Sequence, residues 1–538
     1  MCARIDGSPL PVPAYDVEPA SNEGAPPSTT STTAASQQPG QTPDPSGAAD
    51  RRLESSLEAS LMRGQLDQAQ RGPGVGVLYD KHSPDPADHA SETKAAGYAS
   101  LVGTKLGTSS DGKDLQVKKE IGSPQGYADE REAIAVARMA GTEPAAVVKI
   151  DGKWHAVETS GDPSHADGSG ATRQHSEGNV VVQGLPPYSD VQKLATKIAD
   201  SKDRLQAEAD IGRYKSIMDK PPLGEAEAGK ARALLKKGVL GETDAARLRE
   251  TLPENRQGIE QKLKDLEQKY PTRLSDNEKK QLAGQIAADR QAMAPLLFGL
   301  PKSQIQFNSS PSNDNPGKMI NVDVMSPSKT GDVLGREHYP QDKDFQPGLK
   351  PTFGIKLEEM DDPKGAAGVL FHEVSHLKDD ELAQKWVEQY EKSGHTFVGT
   401  REGLPAFQKW MNEQVGKQLP TQPPTPPLTK ADAEVVVDKA YNFGATSEAR
   451  AYVHAAIAAA QSGDKAEAIN QLKTYASALK QGRAASPGNN SAVEAALTRE
   501  LQDLYRKHPE LGDTLKAALD AARAANPGAW ISKITLSK

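Results

Sequence analysis

The apolar residues change period along the chain, and each change predicts a different kind of element. Over 51–70, Leu53, Leu57 and Leu61 recur every four residues, which predicts a short helix with one narrow apolar stripe. Leu115–Ile121 reads as a strand. Ala128–Ala140, rich in Ala, Glu and Arg and closed by Gly141, reads as a helix. Val147, Val148 and Ile150, an Asp151-Gly152 turn, and Trp154–Val157 then predict a hairpin. From 189 to 300 the period is helical. Val191, Leu194, Ile198 and Leu205 share a face, and further helices are predicted over 224–237, 242–251, 255–269 and 275–295, parted by prolines and glycines. Period two returns at Ile305 and Phe307, at Ile320, Val322 and Val324, and at Phe353, Ile355 and Leu357, predicting short strands of a small sheet. Beyond them the chain reads as helix nearly to its end. Helices over 379–392 and 404–417 carry Trp386 and Trp410, both expected in the core.

Composition divides this pattern into segments. Residues 1–50 hold nine prolines, eleven Ser/Thr, one basic residue (Arg4) and one aromatic (Tyr15), too little apolar surface to offset the entropy of ordering. The expected organisation is a disordered leader or secretion segment (1–72), a small α/β module (73–160), a linker (161–188), a helical region (189–300) and a C-terminal domain of small sheet plus helices (301–538). The fold class is α+β, mostly helical. A net charge of -8 excludes broad, sequence-independent nucleic-acid binding. Cys2 is the one cysteine, so neither a disulfide framework nor a cysteine metal site is available. No apolar run approaches a membrane span, and no Sec-type signal peptide is visible. The proline cluster at 420–427 reads as a stiff spacer.

One segment carries chemistry. Gly365-Ala-Ala-Gly-Val-Leu-Phe-His372-Glu373-Val-Ser-His376 has the form H-E-x-x-H on a predicted helix, with Asp362 as N-cap and Pro363 as its first residue. Histidines at i and i+4 project from one face, so both imidazoles can hold one Zn²⁺. Glu373 then stands beside the remaining coordination position and can move a proton between water and a leaving amine. A catalytic zinc needs a third protein ligand. The extended H-x-x-G-x-x-H form fails, because 379 is Asp and 382 is Leu. Glu448, in Gly444-Ala-Thr-Ser-Glu448-Ala-Arg450-Ala-Tyr452, is the chosen ligand, on a helix that Thr446 or Ser447 caps. His395 is the next choice. Asp379, Asp380 and Glu381 are expected as partners of a ligand imidazole or as a solvated helix end. Tyr452 and Arg450 are candidates to stabilise an oxyanion, against a plainer reading as packing and ion-pairing residues. His155, His165, His175 and His454 are expected to play no part in metal binding.

His372-Glu-Val-Ser-His376 followed by Glu448-Ala-Arg-Ala resembles the gluzincin-type zinc metallopeptidases. It is similar in particular to effector and toxin metallopeptidases of bacteria, which carry H-E-L-x-H and then E-x-R-[AT]. The resemblance covers roughly 300–460. Val374 stands where that pattern has Leu, and Tyr452 replaces an Asp found in thermolysin-like members. It implies a zincin-like C-terminal domain and gives the leader a meaning: a thin, unfolded, Ser/Thr/Pro-rich start resembles a type III secretion segment.

The expectation is a zinc endopeptidase acting on a protein substrate, delivered without a Sec signal into the cytoplasm of a host cell, with a secretion chaperone at the N-terminus. Strand Phe353–Leu357 is the expected edge for β-addition of substrate. Two alternatives stand beside it. One is a non-enzymatic adaptor with a degenerate motif, which would work in the presence of a chelator. The other is a zinc peptidase resident in its own cell, whose leader would not export a reporter.

Overall fold

A computed structural model of the chain describes residues 100–109, 113–163, 174–177, 180–300, 305–308, 319–322, 353–399, 402–417, 428–441, 444–480 and 491–537. The leader 1–72 with its expected helix, His165 and the proline cluster at 420–427 lie outside the described residues.

The first sheet begins with β1 (Lys105–Thr108) and β2 (Asp114–Ile121), paired antiparallel. Helix α1 (Glu130–Ala140) follows. Asp129 and Glu132 close a capping box at its start, and Gly141 ends it in the left-handed conformation at φ 64. β3 (Ala145–Ile150) and β4 (Lys153–Thr159) form the predicted hairpin. Its two turn residues, Asp151 and Gly152, have φ 50 and 80, the backbone that matches a two-residue turn to strand twist. The 161–188 stretch, expected as a linker, instead carries β5 (Gln174–Glu177) and β6 (Val180–Gly184). The β-branched run Val180–Val182 supplies the neighbour that β3 needs on its other edge. Every pairing in the sheet is antiparallel, and the order is β1-β2-β4-β3-β6-β5.

Helices α2 (Tyr188–Met218), α3 (Glu225–Lys237), α4 (Glu242–Glu250), α5 (Arg256–Lys269) and α6 (Asp276–Phe298) come next, close to the spans that periodicity predicts. β7 (Ile305–Asn308), β8 (Met319–Val322) and β9 (Phe353–Lys356) make a second antiparallel sheet in that order. The motif helix α7 (Pro363–Lys392) runs unbroken for 30 residues. The separate helix expected from 379 is its second half, because no proline or glycine interrupts it after Gly368. α8 (Leu404–Gln414), α9 (Lys430–Ala440), α10 (Ala445–Ser462), α11 (Lys465–Lys480), α12 (Ala492–Lys507) and α13 (Gly512–Ala525) complete the chain. The fold is α+β and mostly helical. Among the described residues, no helix is long and apolar enough to cross a membrane.

Helix α1 explains how sheet and helices share a core. Every residue from Arg131 to Met139 is buried. A helix buried all round must be covered on opposite sides. Here β2, β3 and β4 cover one side and α7 and α10 the other. The main apolar cluster accordingly runs from Ile121 in β2 through α1, α6, α7 and α10 to Ile534. Arg138 is 1% exposed and donates to the carbonyls of Pro186, Leu296 and Leu297, tying α1 to the end of α6. Burial pushes its pKa down to about 10. Asp361 joins the helical middle to the motif helix, accepting from Arg290 on α6 at 2.7 and 2.6 Å and from Lys202 on α2 at 2.7 Å. Trp386 and Trp410 lie in a satellite aromatic cluster, as core residues.

Candidate metal centre

The motif helix starts as its sequence dictates. Asp362 accepts from Gly365 N at 3.2 Å and Pro363 occupies the first turn. Gly368, one turn before His372, sits at a close approach: a Cβ there would meet the Glu467 carboxylate of α11, which would have to shift. His372 and His376 follow on the same face, their rings 4.7 Å apart and nearly edge to face. His372 is 1% exposed, Glu373 8% and His376 9%.

Glu448 arrives on α10. That helix begins at Ala445 after Gly444, which takes φ 64, and no side chain of its own caps it. Neither Thr446 nor Ser447 is the expected cap. Asp438 of α9 takes the part instead, accepting from Thr446 N at 2.8 Å. The Ser447 hydroxyl is engaged elsewhere: it lies 2.9 Å from His376 Nδ1 and donates to Asp379 Oδ2 at 2.7 Å. Glu448 therefore sits in the first turn of α10, where the helix dipole favours a carboxylate.

Three side chains converge. His372 Nε2 and His376 Nε2 are 3.0 Å apart; Glu448 Oε1 is 3.2 Å from His376 Nε2, and Oε2 is 3.6 Å from His372 Nε2. Each residue offers one donor, and the three donors lie within 4.8 Å of one another. This group can hold a metal ion. Its electrostatics suit a cation. Burial pushes the Glu448 carboxyl up, but the imidazoles of His376 and His372 outweigh it and hold the pKa well below the usual carboxylate range. Burial likewise disfavours charge on His376, yet Glu448 raises its pKa overall. A carboxylate that draws a proton to this point offers the same attraction to a metal ion.

The other sequence candidates take distinct places. The Glu373 carboxylate makes no hydrogen bond or ion pair among the described residues, and its charge helps to raise the His376 pKa. The Tyr452 ring lies edge-on to His372 at 4.3 Å and stacks on Tyr475 at 5.4 Å. Arg450 points to carboxylates: its Nη1 is 3.6 Å from Asp379 Oδ1 and 3.3 Å from Asp432 Oδ1. Burial lowers its pKa, but Asp379 and Asp432 outweigh it and the net direction is up. His395 stacks on Tyr390 at 4.6 Å, in the satellite cluster, and is not one of the three converging residues. His454 pairs with Glu500 at 2.8 Å. Asp380 pairs with Lys439 of α9 at 2.8 Å, and the Lys439 side chain is 1% exposed. Ser447 is the site residue that sequence reasoning assigned to another task. Its signal was position, directly before Glu448 in the first turn of the same helix.

Comparison of the chain with family models, with curated proteins and with solved structures finds no match.

Proposed function

We propose that the chain is a zinc-dependent endopeptidase of gluzincin type, with His372, His376 and Glu448 as the zinc ligands. The observation that carries this reading is the convergence of the three side chains: the two Nε2 atoms lie 3.0 Å apart, Glu448 Oε1 lies 3.2 Å from His376 Nε2, and Glu448 Oε2 lies 3.6 Å from His372 Nε2. Ligands held about 2.0–2.2 Å from one ion at tetrahedral angles lie about 3.3–3.5 Å apart, a spacing that these contacts approach with one or the other carboxylate oxygen as the third donor. Two imidazoles and one carboxylate leave the fourth position for chemistry, the donor set of a catalytic rather than a structural zinc.

When bound, the ion would supply a Lewis acid that acidifies water and polarises a carbonyl. The chain's own residues do the rest. Glu373, next to His372 on α7, takes the proton from the attacking water and returns it to the leaving amine. Tyr452, at i+4 from Glu448, is assigned to the developing oxyanion through its hydroxyl. Among the described strands β9 lies at the edge of its sheet, and it leads through the 3₁₀ helix Leu357–Asp361 into α7, so an extended substrate segment could add to it as a further strand.

The test is metal content by elemental analysis on wild type, His372→Ala and Glu448→Ala, joined to a peptide-library digestion read by mass spectrometry. About one zinc per chain, lost in both variants, with cleavage abolished in a zinc-retaining Glu373→Gln, is the expected result. No zinc in wild type resupplied with metal, or unchanged cleavage by Glu373→Gln, defeats the proposal.

A further inference from the structure

The three ligands account for the metal-binding group but not for the buried polar residues behind it. Ser447 has no exposed surface and Asp379 is 5% exposed, and buried polar side chains at such positions must be satisfied. They satisfy each other and a ligand. A serine hydroxyl has one proton and two lone pairs. The Ser447 proton goes to Asp379 Oδ2 at 2.7 Å, since an ionised carboxylate only accepts. Toward His376 Nδ1, at 2.9 Å, the oxygen then has only lone pairs to offer. Nδ1 must therefore carry the hydrogen. Nε2, 3.2 Å from Glu448 Oε1, can hold a second proton against that carboxylate while no ion is bound; once that proton leaves, the hydrogen on Nδ1 puts the lone pair on Nε2, facing His372 Nε2 at 3.0 Å and Glu448. Arg450 Nη1, 3.6 Å from Asp379 Oδ1, supplies the counter-charge on the far oxygen.

We infer that Ser447 is a positioning residue: its hydroxyl relays the Asp379 carboxylate to His376 Nδ1, fixing the tautomer and ring orientation that turn Nε2 toward the metal-binding group. Arg450 acts through Asp379, as the anchor of this relay. A carboxylate joined to a ligand imidazole raises the basicity of the ligating nitrogen, and losing such a partner typically weakens metal binding 10- to 100-fold. Here a hydroxyl stands between the two. Helix α10 thus supplies both the third ligand and, one residue earlier, the group that orients the second ligand. The two functions share the first turn of one helix, so displacing that turn would disturb both. Only the affinity arm of the test below rests on the zinc reading; the tautomer arm does not.

The experiment uses the full chain and the variants Ser447→Ala, Ser447→Thr, Asp379→Asn and Ser447→Ala/Asp379→Asn. Zn²⁺ affinity is measured by competition with a chromophoric chelator, and circular dichroism confirms folding. Protonation of His376 Nδ1 is read from imidazole ¹⁵N shifts of the wild type, metal-free at neutral pH and again after adding Zn²⁺, with the signal identified by its loss in His376→Gln. Ser447→Ala is expected to weaken Zn²⁺ binding roughly 10- to 100-fold. Ser447→Thr should retain most of the affinity. Asp379→Asn should weaken binding in the wild-type background and add nothing in the Ser447→Ala background. The His376 spectrum should show the Nδ1–H form. A Zn²⁺ affinity of folded Ser447→Ala within twofold of wild type, additive losses in the double variant, or an unprotonated Nδ1 in the wild type each overturn the relay. Should the wild type bind no Zn²⁺, the zinc proposal falls, and the wild-type tautomer alone still decides the relay without any variant having to fold.

Discussion

Glu448 Oε1 lies 3.2 Å from His376 Nε2, although the two residues belong to different helices. The contact joins α7 to α10 across the main apolar core, so the donors are brought together by packing that does not depend on an ion. Chelation is therefore expected to remove metal without unfolding the protein. A ligand present at 1,000 times its Kd stabilises the folded state by about 4 kcal/mol. Thermal melts should accordingly fall by several degrees on chelation and recover on adding zinc, with the far-ultraviolet spectrum unchanged at 25 °C. Collapse of that spectrum on chelation would show that the metal builds the site.

Asp438 gives a prediction in pH. Burial raises its carboxyl pKa, partly opposed by the hydrogen bond from Thr446, and the result is about 6 against an ordinary 3.8. A folded-state pKa raised above the unfolded value contributes stability that is fully present below pH 3.8 and lost as pH rises through about 6. The shift corresponds to roughly 3 kcal/mol as an upper bound, since part of the side chain reaches water. Asp438→Asn keeps an acceptor for Thr446 N and removes the charge. It should flatten the stability profile between about pH 4 and 7, and leave the protein as stable as wild type or more so at pH 8. Urea unfolding at several pH values measures this. A steeper profile in the variant contradicts it.

Gly368 and Glu467 form a close pair between α7 and α11. Gly368→Ala places a methyl group where the buried Glu467 carboxylate sits, and overpacking of this kind typically costs about 1–3 kcal/mol. Because His372 follows one turn later, the displacement should also weaken metal binding. Gly368→Ala/Glu467→Ala should recover part of both losses, since the second change vacates the colliding atoms. A double-mutant cycle on melting temperature and metal affinity reads the coupling. Strict additivity would mean that the two residues do not meet.

These predictions rest on features of unequal visibility in the sequence. His372 and His376 are legible because i, i+4 spacing on a helix is local, and Glu448 because it lies in the first turn of a strong helix. Asp129, Gly141 and the Asp151-Gly152 turn act on neighbouring backbone, so their elements are readable within a few residues. Ser447 looked like an N-cap because caps and buried relays use the same residue type. Its partner Asp379 is 68 positions away, and only packing brings the two together. The cap that α10 does have comes from Asp438 on a different helix. β6 was lost in a Gly/Ser/Asp-rich setting because its partner β3 lies beyond β4 in sequence. The contact of α1 with α7 was invisible for a related reason: the charged residues of α1, Arg131, Glu132 and Arg138, are themselves buried, so they do not mark a solvent face.

Tyr452 separates chemistry from packing. Its ring lies edge-on to His372 at 4.3 Å and stacks on Tyr475 at 5.4 Å. Tyr475 in turn accepts from Trp530 Nε1 at 3.2 Å, so an aromatic column runs from the His372 imidazole into the core. Tyr452→Ala removes a member of that column and should cost about 3–5 kcal/mol, with weaker metal binding because His372 loses its neighbour. Tyr452→Phe keeps the ring and removes only the hydroxyl. It should bind metal as wild type does and melt within a few degrees of it. If the hydroxyl serves the oxyanion, kcat should fall roughly 100-fold in that variant with KM little changed, because the interaction exists only in the transition state. Unchanged kcat in Tyr452→Phe would leave the residue a support for His372, and the oxyanion would need another donor.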